Sequence, residues 1–244
     1  WTSGVENGAL SFAGTGGYIN CGNDQSLQLV GGFSLSLWVM FAPVTGIDFG
    51  GAQGIVGKYS SRDASRRGFH LLRHSGSNRL EFNTVDGGWP RGVSSQSGYG
   101  NNEWHHVTVI RSSQGLTLYV DCLLEMASEL AGLADSGDYL FIGKMDSSSD
   151  ASWNSFKGII DDVRIYDRAL SPDEAFQLGA RFKAHDPMPA DGTPDLGYGL
   201  DLFWEARLLR WTPGVGAVGH NVYIGTASDR LSLAATGLTD SSYY

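Results

Sequence analysis

Nine residues constrain the fold more than any others in the chain: Phe33-Ser-Leu-Ser-Leu-Trp-Val-Met-Phe41, where large apolar side chains recur at every second position. A period of two belongs to extended backbone, so Phe33, Leu35, Leu37, Val39 and Phe41 share one face and Ser34, Ser36, Trp38 and Met40 the other. Shorter runs with strand character follow the same logic at Ala9–Ala13, Tyr18–Gly22, Gly54–Tyr59, Gly68–His74 and Arg79–Val85. Trp104–Arg111, Leu116–Leu124, Tyr139–Gly143 and Gly158–Tyr166 complete the set. Clusters such as Gly98-Tyr-Gly-Asn-Asn102 and Asp146-Ser-Ser-Ser-Asp150 separate them and mark loops. About ten strands with no helices between them predict an all-β, two-sheet antiparallel sandwich of the jelly-roll kind.

Composition agrees and excludes several classes. The 34 glycines and 11% aromatics suit a turn-rich β protein, and 41% hydrophobic residues suffice for a core. No stretch approaches the ~20 apolar residues of a membrane-spanning helix. Seventeen Lys and Arg against 26 Asp and Glu give a net charge of −9, which argues against general binding to nucleic-acid phosphates. The opening at Trp1, without Met or a signal-peptide pattern, reads as a processed chain or an excised fragment.

One short helix is marked. Ser171-Pro-Asp-Glu174 supplies an N-cap hydroxyl, a proline at the first helical position and a capping-box glutamate; Ala175, Phe176 and Leu178 follow, and Gly179 can end the turn. Composition then shifts. Residues 184–194 are proline-rich and read as a linker, which puts a first domain at 1–183 and a second segment at 195–244. That segment holds about 50 residues, half of what an immunoglobulin-like sandwich requires.

Several motifs occur in a specific order: Ala9-Leu-Ser-Phe12, Tyr18-Ile-Asn20, Phe33–Val39, Trp104-His-His-Val107, Leu118-Tyr-Val-Asp121, Phe156-Lys-Gly158 and Ile160-Asp-Asp-Val-Arg-Ile-Tyr-Asp-Arg-Ala-Leu-Ser171. Together, over roughly residues 5 to 182, they resemble the laminin-G-like, concanavalin A-like jelly-roll domains common in secreted bacterial proteins. Pro189-Ala-Asp-Gly192, Leu209–Gly214 and Asn221–Thr226 are similar to the first strands of a fibronectin-type-III-like, immunoglobulin-like β domain whose later strands are missing. The resemblance implies a non-catalytic extracellular module, secreted or at the cell surface, that binds carbohydrate or mediates adhesion to a surface or matrix partner. A rival reading is a subunit of an extracellular fibre or surface layer, with copies of the chain completing the half-length tail by strand addition.

The resemblance also implies a structural Ca2+ near Asp161 and Asp162, which would supply carboxylates to a hard cation. Asp146 and Asp150 are weaker candidates. Ala13 and Gly17 stand where relatives often carry acidic residues, which removes potential ligands. Cys122 stands where relatives carry glycine after Val120-Asp121, which fits a local partner for that cysteine. Cys21 and Cys122 show no metal-ligand spacing. A bridge between them would close a loop of about 100 residues, worth roughly 4–5 kcal/mol in the chain-entropy picture; two buried free thiols are the other possibility.

The fold also hosts glycoside hydrolases, which need two carboxyl groups about 5 Å apart for retaining chemistry, usually at alternating positions of one strand. No Glu-x-Asp-x-Glu run is present; Glu125 and Glu129 are four apart, and the adjacent Asp161 and Asp162 face opposite ways in a strand. An enzyme is therefore not expected. Sugar binding uses exposed aromatic platforms with a few polar groups. Of seven tryptophans, Trp89 in Asp86-Gly-Gly-Trp-Pro90 and Trp153 in a Ser/Asp loop lie outside core motifs. With Arg91, Tyr59 and Arg62 they make the candidate carbohydrate-binding set. Lys58, Arg62, Arg66, Arg67, Arg73 and Arg79, with His70 and His74, form a basic island on a hairpin. It suits either an anionic glycan or a plainly solvated surface. His105 and His106 are adjacent, so they cannot share a face for a metal.

Overall fold

The computed structural model describes residues 1–5, 7–43, 52–60, 66–74, 76–100, 102–146 and 155–180, and beyond them only the backbone of the short strands at 185–188, 209–212, 220–224, 232–238 and 242–243. In chain order the elements are β1 (Thr2–Ser3), β2 (Gly8–Ala13), β3 (Ile19–Asn20), β4 (Phe33–Phe41), β5 (Ala52–Ser60), β6 (Arg67–His74) and β7 (Arg79–Asp86). Next come β8 (Arg91–Gly98), β9 (Trp104–Arg111), β10 (Leu116–Val120), β11 (Leu123–Ser128), β12 (Phe141–Ile142), β13 (Lys157–Tyr166) and α1 (Pro172–Ala180).

These strands form an antiparallel seven-stranded sheet, β1-β2-β13-β4-β9-β10-β11, and an antiparallel six-stranded sheet, β3-β12-β5-β6-β7-β8. The apolar face of β4 meets Phe69, Leu71, Leu80, Phe82 and Val93 of the second sheet, and Val107, Val109, Leu116 and Leu118 extend the same core. The second face of β4 is buried as well, for a separate reason. Ser34 Oγ accepts from the Leu170 N–H at 2.9 Å and donates to the Arg168 carbonyl at 3.0 Å, which ties the chain leading into α1 onto this face. Ile110, Leu170 and Ala175 form a small second cluster there.

The helix is capped as its sequence predicts. Ser171 Oγ accepts from the Glu174 N–H at 3.2 Å, and a Glu174 carboxylate oxygen accepts from the Ser171 N–H at 2.8 Å. Arg168 grips the same carboxylate with both guanidinium ends and holds Glu174 far below the usual carboxylate range. The helix runs one residue past Gly179, to Ala180.

Two segments differ from expectation. Leu116–Leu124 is a hairpin instead of one strand: β10 and β11 are joined by Asp121 and Cys122, both with positive φ (54° and 68°). That pair of left-handed residues is the type I′ geometry whose twist suits a two-residue hairpin, and glycine is its favoured second residue. Cys122 therefore holds a conformation that disfavours a side chain, and Cys122→Gly is expected to raise stability by about 1 kcal/mol; urea unfolding checks this, and a loss of stability would contradict it. The other is β8, whose Arg-Gly-Val-Ser-Ser-Gln-Ser-Gly sequence lacks strand character because it is an edge strand with only Val93 in the core.

The chain divides into units 1–178 and 179–244. In the second, β14 (His185–Met188), β15 (Leu209–Thr212) and β18 (Ser242–Tyr243) pair in the order β14-β15-β18, and β16 (His220–Ile224) pairs with β17 (Ser232–Leu238). β14 falls inside the stretch expected as linker; as an outer strand it tolerates Pro187. The fibronectin-type-III-like reading, and completion of that tail by another copy, fall mostly on positions outside the described residues. Among the described residues, no helix is long and apolar enough to cross a membrane.

Candidate functional site

The outward face of the six-stranded sheet is fixed by strand register. Gly57 is opposite both Phe141 and His70, His70 is opposite Asn83, and Asn83 is opposite Gly92. Phe69, Leu71 and Phe82 point into the core, so Phe141, His70 and Asn83 point outward. Residues Lys144–Asp146 lie across β5 on this side, and Asp146 bridges to Tyr59 in parallel. Gly54 and Gly57 make that crossing possible, since a Cβ at either would collide with the Met145 backbone.

Next to the crossing, on the strand paired with Gly57, sits a polar cluster. His70 is 4% exposed, its ring meets Tyr59 edge-on at 4.8 Å, and its Nε2 lies 3.2 Å from Asn83 Nδ2. The Asn83 amide donates there, which leaves the imidazole proton on Nδ1. Burial lowers the His70 pKa to about 4, against a smaller opposing pull from Asp146. Tyr59, expected as part of a sugar platform, is buried in this cluster and unavailable as one.

Trp89 behaves differently. It lies in the turn between β7 and β8 and is 77% exposed, with the Arg66 guanidinium 4.4 Å from its ring centroid. Gly87, at φ 111°, donates its N–H to the Arg66 carbonyl at 2.7 Å, which locks the turn against the start of β6. Arg91 is exposed but pairs with Thr84, so its side chain leaves β8 on the face opposite Asn83. Trp153 and Arg62 lie outside the described residues.

The basic island does not exist as one surface. Lys58 is buried and paired with Asp135 at 2.5 Å. Arg73 is buried over the Phe41 ring, donates to Gln53 Oε1 at 2.8 Å, and has its pKa lowered to about 10 by burial. Arg66 and Arg67 remain at one end of β6, with His74 and Arg79 at the other, roughly 20 Å apart at ~3.3 Å per residue.

The remaining candidates are engaged elsewhere. Asp161 accepts from the Val5 N–H and the Asp162 N–H, both at 2.8 Å, and Asp162 accepts from Arg164 Nε at 2.8 Å across a β-bulge. No group of three or more His, Cys, Asp or Glu suited to a metal occurs among the described residues. Cys21 and Cys122 form no disulfide and neither is fully buried; Cys21 lies beside β3 of one sheet, Cys122 in the β10–β11 turn of the other, with its Sγ 3.5 Å from the Phe176 carbonyl. His105 pairs with Asp121 at 2.8 Å and His106 with Ser36 at 2.9 Å. Glu125 is committed to the Tyr99 hydroxyl and the Gln96 N–H.

Sequence reasoning missed a second aromatic group. Tyr18 and Tyr139 are each half-exposed, and each ring stands perpendicular to Phe141, at 5.3 and 6.4 Å. Ile19 and Ile142 face the core, so alternation alone could have turned Tyr18 and Phe141 outward; only the β3–β12 pairing brings them together.

This two-sheet arrangement matches a known family along most of its length. The profile of the concanavalin A-like lectin/glucanases superfamily, of laminin-G type, covers residues 13–175. The chain belongs to this superfamily. A comparison with curated protein sequences finds no match. Among solved structures, the binding domain of Paraclostridial Mosquitocidal Protein 1 superposes with a TM-score of 0.60 at 16% identity, over 75% of this chain and 46% of that one. Domain 4 of AbnA, a GH43 extracellular arabinanase from Geobacillus stearothermophilus solved with arabinotriose, gives 0.55 at 16% identity, over 73% and 79%. The CBM40 of the Ruminococcus gnavus IT-sialidase gives 0.53 at 14%, over 70% and 96%. At such identities the likeness establishes the concanavalin A-like fold, which these neighbours share.

Proposed function

We propose that this concanavalin A-like domain is a non-catalytic carbohydrate-binding module of an extracellular protein, with Trp89 as its principal sugar-stacking residue. The observation that carries the reading is the 77% exposure of a tryptophan fixed in a hydrogen-bonded turn beside Arg66. An indole held open to water is costly unless a ligand covers it, and a rigid turn spares the ordering cost on binding. The arabinotriose complex of the AbnA domain supports the substrate class by likeness of fold. The extracellular arabinanase that carries the AbnA domain supports an extracellular setting for this one.

Affinity electrophoresis and isothermal titration against a panel of polysaccharides, arabinan among them, test the proposal. Trp89→Ala is expected to weaken binding about tenfold, or roughly 1.4 kcal/mol, with an unchanged melting temperature. Full affinity in that variant, or no polysaccharide bound by the wild type, would defeat the reading.

A further inference from the structure

The six-stranded sheet carries another aromatic surface, on the β3–β12 edge remote from the Trp89 turn. Cys21 N–H donates to the Leu140 carbonyl and Leu140 N–H to the Gly22 carbonyl, both at 2.9 Å, so the pairing that holds Tyr18 and Tyr139 continues past the strand ends. The Lys144 ammonium lies over two of these rings, 4.8 Å from the Tyr18 centroid and 5.3 Å from that of Phe141. Lys144 is only 9% exposed. Among the described residues, no carboxylate lies within ion-pair distance of it.

A nearly enclosed ammonium loses much of its hydration, and aromatic faces restore only part of it. An anionic group arriving through the remaining opening would restore the rest. Tyr18, 49% exposed, offers a ring face beside that charge, and Tyr139, 52% exposed, packs on the Phe141 ring that the same ammonium touches. We propose that Tyr18, Tyr139, Phe141 and Lys144 form a subsite for an acidic saccharide unit, carboxylated or sulfated, whose anion meets Lys144 and whose ring packs on the tyrosines. This rests on the carbohydrate-binding reading above and adds a second point of contact with a stated charge. The chain's net charge of −9 works against acidic polymers in general, so a preference for them has to come from a local cation.

The test compares dextran, dextran sulfate and polygalacturonate by titration at low and high salt. The wild type is expected to bind at least one of the acidic polymers about tenfold more tightly than dextran, with the difference shrinking as salt rises. Which acidic polymer binds tells sulfate from carboxylate. Lys144→Met and Tyr139→Ala should each abolish most of that preference, Lys144→Arg should keep it, and Trp89→Ala should weaken neutral and acidic ligands alike. Acidic and neutral polymers bound equally, or acidic binding unchanged in Lys144→Met and Tyr139→Ala, would overturn the subsite while leaving the sugar-binding reading intact. A wild type that binds no polysaccharide overturns both. Should Lys144→Met fail to fold, amine acylation of the wild type read by mass spectrometry decides: the acidic polymer should shield Lys144, and unchanged labelling sinks the proposal.

Discussion

Asp135→Ala is expected to lower the unfolding free energy by about 3–5 kcal/mol, although Asp135 lies in an irregular segment at the surface. Its partner explains the size. Lys58 is opposite Phe69 in the β5–β6 register, so its side chain leaves β5 on the core side, and it is 1% exposed. Its Nζ meets Asp135 Oδ1 at 2.5 Å, where the aspartate is 27% exposed. Removing the carboxylate strands an ammonium inside the sandwich wall. The reverse change is asymmetric: Lys58→Met keeps the volume and leaves Asp135 able to hydrate, so it should fall within about 1 kcal/mol of wild type. Urea unfolding of both variants measures this directly. A loss below about 1 kcal/mol in Asp135→Ala would show the pair to be marginal.

The second large effect is on acid stability. His70 has a folded pKa of about 4 against an ordinary value of 6.5, because burial disfavours its charged form. A depressed histidine stabilises the native state fully above pH 6.5, where both states are neutral. As pH falls below that, the unfolded chain takes up a proton that the native state refuses until about pH 4. Each pH unit in this window removes about 1.4 kcal/mol, for a total of about 3 kcal/mol. His70→Gln should abolish this component, so the two stability curves converge as pH drops from 6.5 toward 4. Parallel curves, or a titration of His70 near 6.5 by NMR, would refute it.

The strand inventory was readable because burial on the core side imposes a period of two, clearest in Phe33–Phe41. The capped helix was readable because Ser171, Pro172 and Glu174 act within one turn. The β10–β11 turn was hidden because Asp121-Cys122 replaces the glycine that normally announces such a hairpin. Trp89 could be singled out by its Gly-Gly and Pro neighbours. Tyr59 could not be excluded as a platform, since its burial comes from partners brought up by the fold, the His70 ring on β6 and the distant Asp146 backbone.

Charge was the least legible property. Lys58, His70 and Arg73 look like a solvated cluster, yet each is withdrawn from water by partners that the fold brings up. The sequence by itself determined which backbone is extended, where it turns and which side chains face the core, because these follow from local sterics and the alternation of apolar residues. Tertiary structure alone decided which outward residues meet: Lys144 over Tyr18 and Phe141, Arg66 against Trp89, His70 against Tyr59 and Asn83. Those encounters depend on strand order and register, which are set by the packing of the whole sandwich and leave no mark at any single position.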